Sequence, residues 1–567
     1  MNFAGITCLY FFLPVVLAGY FLLPRRARNA WLLAASAGFY LWAQPVALFW
    51  KAALAAAAFA AGRVIERARA GKMAGEEAPD AKRPEGAAEK EKSPKRETEK
   101  QGQEGLAGTA ARRLRAAAER KAAACASAKP GAAAGVRREG AGEGPTNGTP
   151  EAVSAAGKRG IGDGAGQALE RPAGARRRSR IFWLAAAVQL GVLFLYKYEA
   201  ALARAVQAAF GWGLPVFAAA TPVGLSFAVF QNLSYLAEVR RGAAAERRFG
   251  RYLLYGVLFL NGTAGPIFRY GEAAAQIAAR RESMADAAAG FTRMAIGLAK
   301  KVILSGAMGG FTADFLAAGE YSALYSWGYA LAVSLQVYFD FSGYSDMAIG
   351  LGQVLGFRLP ENFRYPFCAR SAGEFWRRWH ESLGAWFRDY IYIPLGGSRC
   401  GKRRMVAAIL CVWAATGLWH GVSANYLAWG MLFGGVICLE KLGGERILRR
   451  IPRAVQWGLT AGLVLISFVI FAGDSLAASA QVLRGMVAGG ALGPAGRQAF
   501  ANYGGSLLLA AAAAFPWGAQ AVRALEKRPG FRQAIGLLRP LWAAALLLLS
   551  TAWLVDGSFQ AFLYFRF

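Results

Sequence analysis

The chain has 567 residues, 55% of them hydrophobic, and carries 66 lysines and arginines against 35 acidic residues, a net charge of +31. So much apolar sequence excludes the usual reading of that charge, a soluble nucleic-acid binder, and assigns the cations to membrane flanks and anionic lipid. The six cysteines (Cys8, Cys125, Cys368, Cys400, Cys411 and Cys438) show no CxxC or metal-type spacing, which excludes a disulfide framework and a zinc site.

The first apolar run, residues 5–24, is long enough to cross a bilayer as a helix. It has no basic N-terminal region and no small-residue cleavage site, so it reads as a retained span and not as a signal peptide. Arg25, Arg26 and Arg28 follow it and predict a cytoplasmic loop, with the N-terminus outside. Residues 1–62 therefore form a first set of transmembrane helices. Residues 63–180 break the pattern, with no Phe, Trp or Tyr and 26 basic against 16 acidic residues. Such a composition cannot bury enough apolar surface to offset chain entropy, which predicts a disordered, basic cytoplasmic insert. Apolar runs resume at 181–198 and recur at 322–338, 405–419, 454–472 and 538–555. With the long runs split, the chain reads as an all-α polytopic membrane protein of about eleven spans, residues 181–567 forming its core.

Two polar-aromatic segments interrupt this apolar background, and each holds one of the chain's two histidines. In the first, Ser371 and Glu374 form a capping box that predicts a helix start. From there Phe375, Trp376, Trp379, His380, Leu383, Trp386, Phe387 and Tyr390 recur at helical spacing, while Arg377, Arg378, Glu381, Ser382, Arg388 and Asp389 occupy the other side. The helix is expected to run to the break at Pro394. Its charges are too costly for lipid contact, so it lies at the interface or dips into a protein-lined cavity. In the second segment an apolar run ends in Gly417, Leu418, Trp419, His420 and Gly421. Gly417 and Gly421 form a small-xxx-small pair that admits a close helix neighbour.

Histidine is the side chain that exchanges protons near neutral pH, and an ionisable group at membrane depth points to function. A low-dielectric setting disfavours the imidazolium, which leaves His420 neutral and able to accept a proton. Plainer readings stand beside these: aromatic packing for either histidine, a carbonyl bond for His420, a helix cap for Asn425, and interfacial anchoring for the arginines. No phosphate-binding glycine loop, zincin motif or GxSxG elbow occurs.

The run PENFRYPFCARSAGEFWRRWHESLGAWFRDYIYIPLGGSR, followed by GLWHGVSANYLAWG, resembles the signature of the membrane-bound O-acyltransferases, in their alginate O-acetyltransferase-like branch. Weaker matches follow in the family's order: TPVGLSFAVFQNLSYLAEVRRG at 221–242, AGPIFRY at 264–270, GLAKKVILS at 297–305, YFDFSGYSDMAIGLGQVLGF at 338–357 and the terminal FLYFRF. The resemblance covers nearly the whole chain outside 63–180. Glu238 stands where the family usually has aspartate, and FAGDSL at 471–476 lacks the family's arginine.

The resemblance implies a ring of tilted helices around a funnel, with re-entrant amphipathic helices and a thin floor that carries the histidine. It implies acyl transfer, usually of acetyl, from a cytoplasmic thioester donor (acetyl-CoA or an acyl carrier) with no bound cofactor. The acceptor would be an extracytoplasmic polysaccharide or a partner protein, and an extracytoplasmic acetyltransferase-type or polymer-synthesis partner is expected, with membrane lipid around the chain and no nucleic acid. His420 takes the place of the catalytic histidine and His380 that of the second essential one. Arg377, Arg378, Arg388, Asp389, Tyr390, Trp379, Trp419 and Asn425 are candidates for holding donor or acceptor. Asp340 and Asp346 are expected to pair with those arginines and hold the helix. D-alanyl transfer to teichoic acid is the rival within the class. A proton-coupled transporter or flippase is the rival outside it, although the two histidine segments show no internal repeat.

Overall fold

A computed structural model describes residues 3–70, 172–216, 220–262 and 265–556, which form helices and connecting turns with no strand among them. This is the economy a bilayer demands, because a helix satisfies every backbone donor and acceptor within its own segment. Among the described residues, six helices are long and apolar enough to cross a membrane: Pro45–Arg69, Gly174–Lys197, Met284–Ala318, Ala424–Leu448, Arg453–Ala472 and Pro529–Val555. A seventh results if the bent pair Pro494–Ala513 and Trp517–Glu526 is one span. Cys8–Leu22, Arg28–Ala43, Ala323–Val354 and Lys402–His420 are shorter or more polar helices. Most of the expected insert, residues 71–171, lies outside the described residues. At its edges helix continues to Ala70 and begins again at Pro172, inside the expected boundaries of 63 and 180.

The helices that build the site are labelled in chain order: α1 (Pro45–Ala70), α2 (Pro172–Lys197), α3 (Leu225–Arg241), α4 (Met284–Ala299) and α5 (Ala323–Val354), then α6 (Ala372–Trp376), α7 (Glu381–Phe387), α8 (Lys402–His420), α9 (Ala424–Leu439) and α10 (Arg453–Ala472). Helices α4 and α5 meet along a glycine seam. A Cβ on Gly297 would stand 2.6 Å from the Gly343 carbonyl oxygen, one on Gly343 2.6 Å from that of Gly297, and Gly290 and Gly350 face each other at 2.4 Å. Backbones touch here because no side chain separates them.

Just past the seam, Lys300–Leu304 form a π turn. It aims two consecutive lysines at α5: Lys300 reaches Asp346 at 2.7 Å, and the fully buried Lys301 reaches Asp340. Arg293 completes the pairing of Asp346, its Nε 2.9 Å from Oδ1. The expected pairing of these two aspartates with the arginines around His380 is therefore corrected. The π turn puts nearer cations against α5, and Arg378 is held by Glu374 at 2.8 Å.

The hairpin of α8 and α9 is as tight as its glycines predict. A Cβ on Gly417 would lie 2.5 Å from the Tyr426 carbonyl oxygen, one on Gly430 2.5 Å from that of Trp413, and one on Gly421 2.8 Å from the Tyr426 ring.

Candidate functional site

Ser371 caps α6 as expected, its hydroxyl accepting from Glu374 N at 3.1 Å. The Glu374 carboxylate turns to Arg370 N at 3.0 Å instead of back to the cap residue. Glu440 accepts from Ala372 N at 2.7 Å and Gly373 N at 2.9 Å, so the first donors of this short helix all have partners.

The single helix expected from Ser371 to Pro394 is broken at His380, whose φ of 45° and ψ of 52° are left-handed. A non-glycine residue rarely adopts that conformation, at a cost of about 1–2 kcal/mol. Buried Asn362 compensates. Its amide oxygen accepts from His380 Nδ1 at 3.0 Å, Ser382 Oγ at 2.9 Å and Ser382 N at 3.3 Å. Its carbonyl accepts from Glu381 N at 3.0 Å, and its amide nitrogen donates to Ser345 Oγ at 3.1 Å. With the proton on Nδ1, His380 Nε2 is a buried acceptor with no partner among the described residues. Only 4% of His380 is exposed, and burial pushes its imidazole down to about 3, so the ring is neutral.

His420 ends α8 and is half-buried. Its ring sits among those of Trp419 at 4.7 Å, Phe471 at 4.9 Å, Trp429 at 5.3 Å and Tyr426 at 6.0 Å. Among the described residues no carbonyl or side chain hydrogen-bonds it, so both ring nitrogens are open to a reactant.

Two cavities meet at this residue. One, of about 560 Å³, is walled by Trp376, Trp379, Trp413, Trp429, Phe468 and both histidines, with Arg364, Arg377, Arg388 and Lys441 also on its lining. The other, of about 950 Å³, is more polar, and Gln44, Lys197, Thr221, Gln336, Ser423 and Asp474 line it together with His420. His420 is the one described residue common to both linings.

His380, Trp379, Arg377, Arg388 and Asp340 thus share the aromatic cavity with His420, whereas other expected site residues line neither cavity. Arg378 is bound to Glu374. Asp389 is held by Arg269 and Arg388, each at 2.7 Å. Burial opposes its ionisation, but the hydrogen bonds from those two guanidiniums outweigh it and hold the carboxyl below the usual carboxylate range. Tyr390 donates to Glu238 at 2.6 Å beneath Arg241 and Arg269. Trp419 is stacked on Phe230 at 5.8 Å. Asn425 lines neither of these two cavities and does not cap α9, whose cap is Ser423; its amide nitrogen ties α9 to the carbonyls of Ile470 and Gly473, at 2.9 and 3.0 Å. Asn362 and Lys197 escaped sequence reasoning. An asparagine in a loop and a lone lysine closing an apolar run carry no periodic signal.

A family model for the membrane-bound O-acyltransferases matches residues 181–479, over half of the chain. The chain belongs to the membrane-bound O-acyltransferase family. Both histidines and most of both cavity linings fall inside the matched span. Among curated members, the chain is 37% identical over 311 residues to a probable alginate O-acetylase of Pseudomonas syringae pv. tomato, covering 54% of this chain and 60% of the relative. It is 33% identical over 244 residues to a peptidoglycan O-acetyltransferase of Helicobacter pylori (42% and 46% covered). To a teichoic acid D-alanyltransferase of Bacillus subtilis it is 31% identical over 225 residues (37% and 56%). The chain thus spans 60% or less of the length of each of these three O-acyltransferases.

Proposed function

We propose that this protein is a membrane O-acyltransferase that moves acetyl from a cytoplasmic thioester donor to a hydroxyl outside, on a polysaccharide or on a partner protein that completes the transfer. The observation that carries this reading is the position of His420 on the linings of two cavities of opposite character. The aromatic cavity suits the slender arm of an acyl thioester, with Arg364, Arg377, Arg388 and Lys441 offered to its phosphates. The polar cavity suits a hydroxyl-bearing acceptor.

Charged helix ends support the orientation. Helix α1 starts beside Gln44 of the polar cavity and ends in Arg67 and Arg69, and α3 starts beside that cavity and ends in Arg240 and Arg241. Arg241 bonds the Asp389 carbonyl at 2.8 Å, next to Arg388 of the aromatic cavity. Basic ends mark the cytoplasmic side, so the aromatic cavity opens inward and the N-terminus lies outside. With the four shorter or more polar helices also crossing, the spans reach about eleven.

In the reaction, neutral His420 takes the proton of the acceptor hydroxyl as its oxygen attacks the thioester carbonyl. The C–O bond forms, the C–S bond breaks, and the leaving thiolate recovers the proton from the imidazolium. General-base assistance of this kind contributes about 10²–10⁴-fold. Bare Nε2 of His380 offers a second acceptor in the same cavity, for a donor amide or hydroxyl.

The test compares source cells with a His420→Ala strain at matched protein level, releasing ester-linked groups from surface polymers with mild base. Loss of acetate is the expected result. Loss of D-alanine would move the protein to the second reading, which the teichoic acid relative supports. Unchanged levels of both would overturn acyl transfer through His420.

A further inference from the structure

Helix α8 ends at His420, and a helix end leaves its last carbonyls without intrahelical partners. Gly421 N returns to the Gly417 carbonyl at 3.4 Å, leaving those of Leu418 and Trp419 to be satisfied from elsewhere. Both partners come from the far end of α2. The hydroxyl of Tyr198 donates to the Leu418 carbonyl at 2.9 Å, and Lys197 Nζ donates to the Trp419 carbonyl. The preceding Tyr196 anchors this end of α2, its hydroxyl accepting from Trp50 Nε1 at 2.7 Å and its carbonyl from Thr221 Oγ1 at 2.9 Å.

Lys197 also lies 5.6 Å from the centre of the Trp419 ring and lines the polar cavity together with His420. Among the described residues it forms no ion pair, and the one carboxylate on the same lining is that of Asp474. A lysine closing an apolar span ordinarily extends its ammonium toward water. Here the ammonium turns inward, onto a helix-end carbonyl and an aromatic face.

We propose that Lys197 is the positioning residue of His420, capping the end of α8 across the helix interface so that the imidazole stays at the junction of the two cavities. The proposal rests on the acyl-transfer reading. A cation is the favoured partner for a helix C-terminus, and the carbonyl it holds belongs to the residue immediately before the histidine. Displacing a reacting group by about 1 Å can cost about 10²-fold in rate.

The two histidines make the test direct. The full chain, labelled with [15N]histidine and purified in nanodiscs through a histidine-free tag, gives two sets of ring signals, assigned with His380→Gln. Ester acetate on the surface polymers of the source cells is measured in parallel for wild type, His420→Ala, Lys197→Met and Lys197→Arg. Lys197→Met is expected to lower ester acetate roughly tenfold or more and to move the His420 signals while those of His380 stay. Lys197→Arg, which keeps a cationic donor, is expected to retain roughly a third or more of the activity.

Retention of ester acetate in Lys197→Met, with loss in His420→Ala, would overturn the positioning role while leaving acyl transfer intact. Ester loss with unmoved His420 signals would overturn it, since Lys197 would then not act through the histidine. Equal loss in Met and Arg variants, with both histidines' signals altered, would assign Lys197 to the fold instead. Unchanged acetate and D-alanine in His420→Ala would remove the acyl-transfer reading itself.

Discussion

Asn362→Ala tests the junction that presents His380. The substitution removes the acceptor of three hydrogen bonds, from His380 Nδ1, Ser382 Oγ and Ser382 N, and the donor of a fourth, to Ser345. At about 1 kcal/mol net for each bond, the junction loses about 4 kcal/mol. The left-handed His380 already costs about 1–2 kcal/mol, so a conformer in which α6 and α7 run on as one helix becomes competitive. That rotation carries the imidazole out of the aromatic cavity, and a displacement on this scale lowers transfer by about 10²-fold.

The assay is the ester content of surface polymers at matched protein level, together with thermal unfolding of the purified protein in nanodiscs. The expected result is loss of ester with a lowered midpoint. An Asn362→Ala protein that retains most of its transfer activity and an unchanged midpoint would refute the claim that Asn362 holds the break.

Two further outcomes are expected. Gly297→Leu pushes a side chain into the Gly343 carbonyl, 2.6 Å from where its Cβ must stand, and should abolish accumulation of folded protein; Gly462→Leu, with no described residue within 4 Å, should be tolerated, as detergent-solubilised yield will check. Asp389→Asn should lower the unfolding midpoint at neutral pH. The folded Asp389 titrates below the unfolded value of roughly 3.9, so its contribution is complete above that value and is lost as pH falls through the depressed one. The difference between wild type and variant should therefore vanish only in strong acid. A difference constant down to the most acidic pH would refute the ion-pair origin.

Features carried by neighbouring residues were legible in the sequence. Apolar runs gave membrane helices, Ser371 gave the start of α6, and Gly417 and Gly421 gave a close hairpin, because each depends on side chains within a few positions of one another. The WRRWH and GLWHG segments likewise led to the family and to the two histidines.

The break at His380 was not legible. Helical periodicity continues through it, and the residue that forces it, Asn362, acts through space from 18 positions away. For the same reason the partners of Asp340 and Asp346 were misassigned: a π turn aims two adjacent lysines at α5, and spacing rules assume a regular helix. The cap on α8 comes from Lys197, 222 residues before the carbonyl it binds.

The sequence by itself therefore determined the class of fold and the family, and singled out the two histidines. Only the tertiary structure decided how they are held and that His420 lies where two cavities meet. Periodicity and a local N-cap such as Ser371 are properties of a segment, whereas a cavity wall and the cap on the end of α8 are supplied by whichever distant segment packs there.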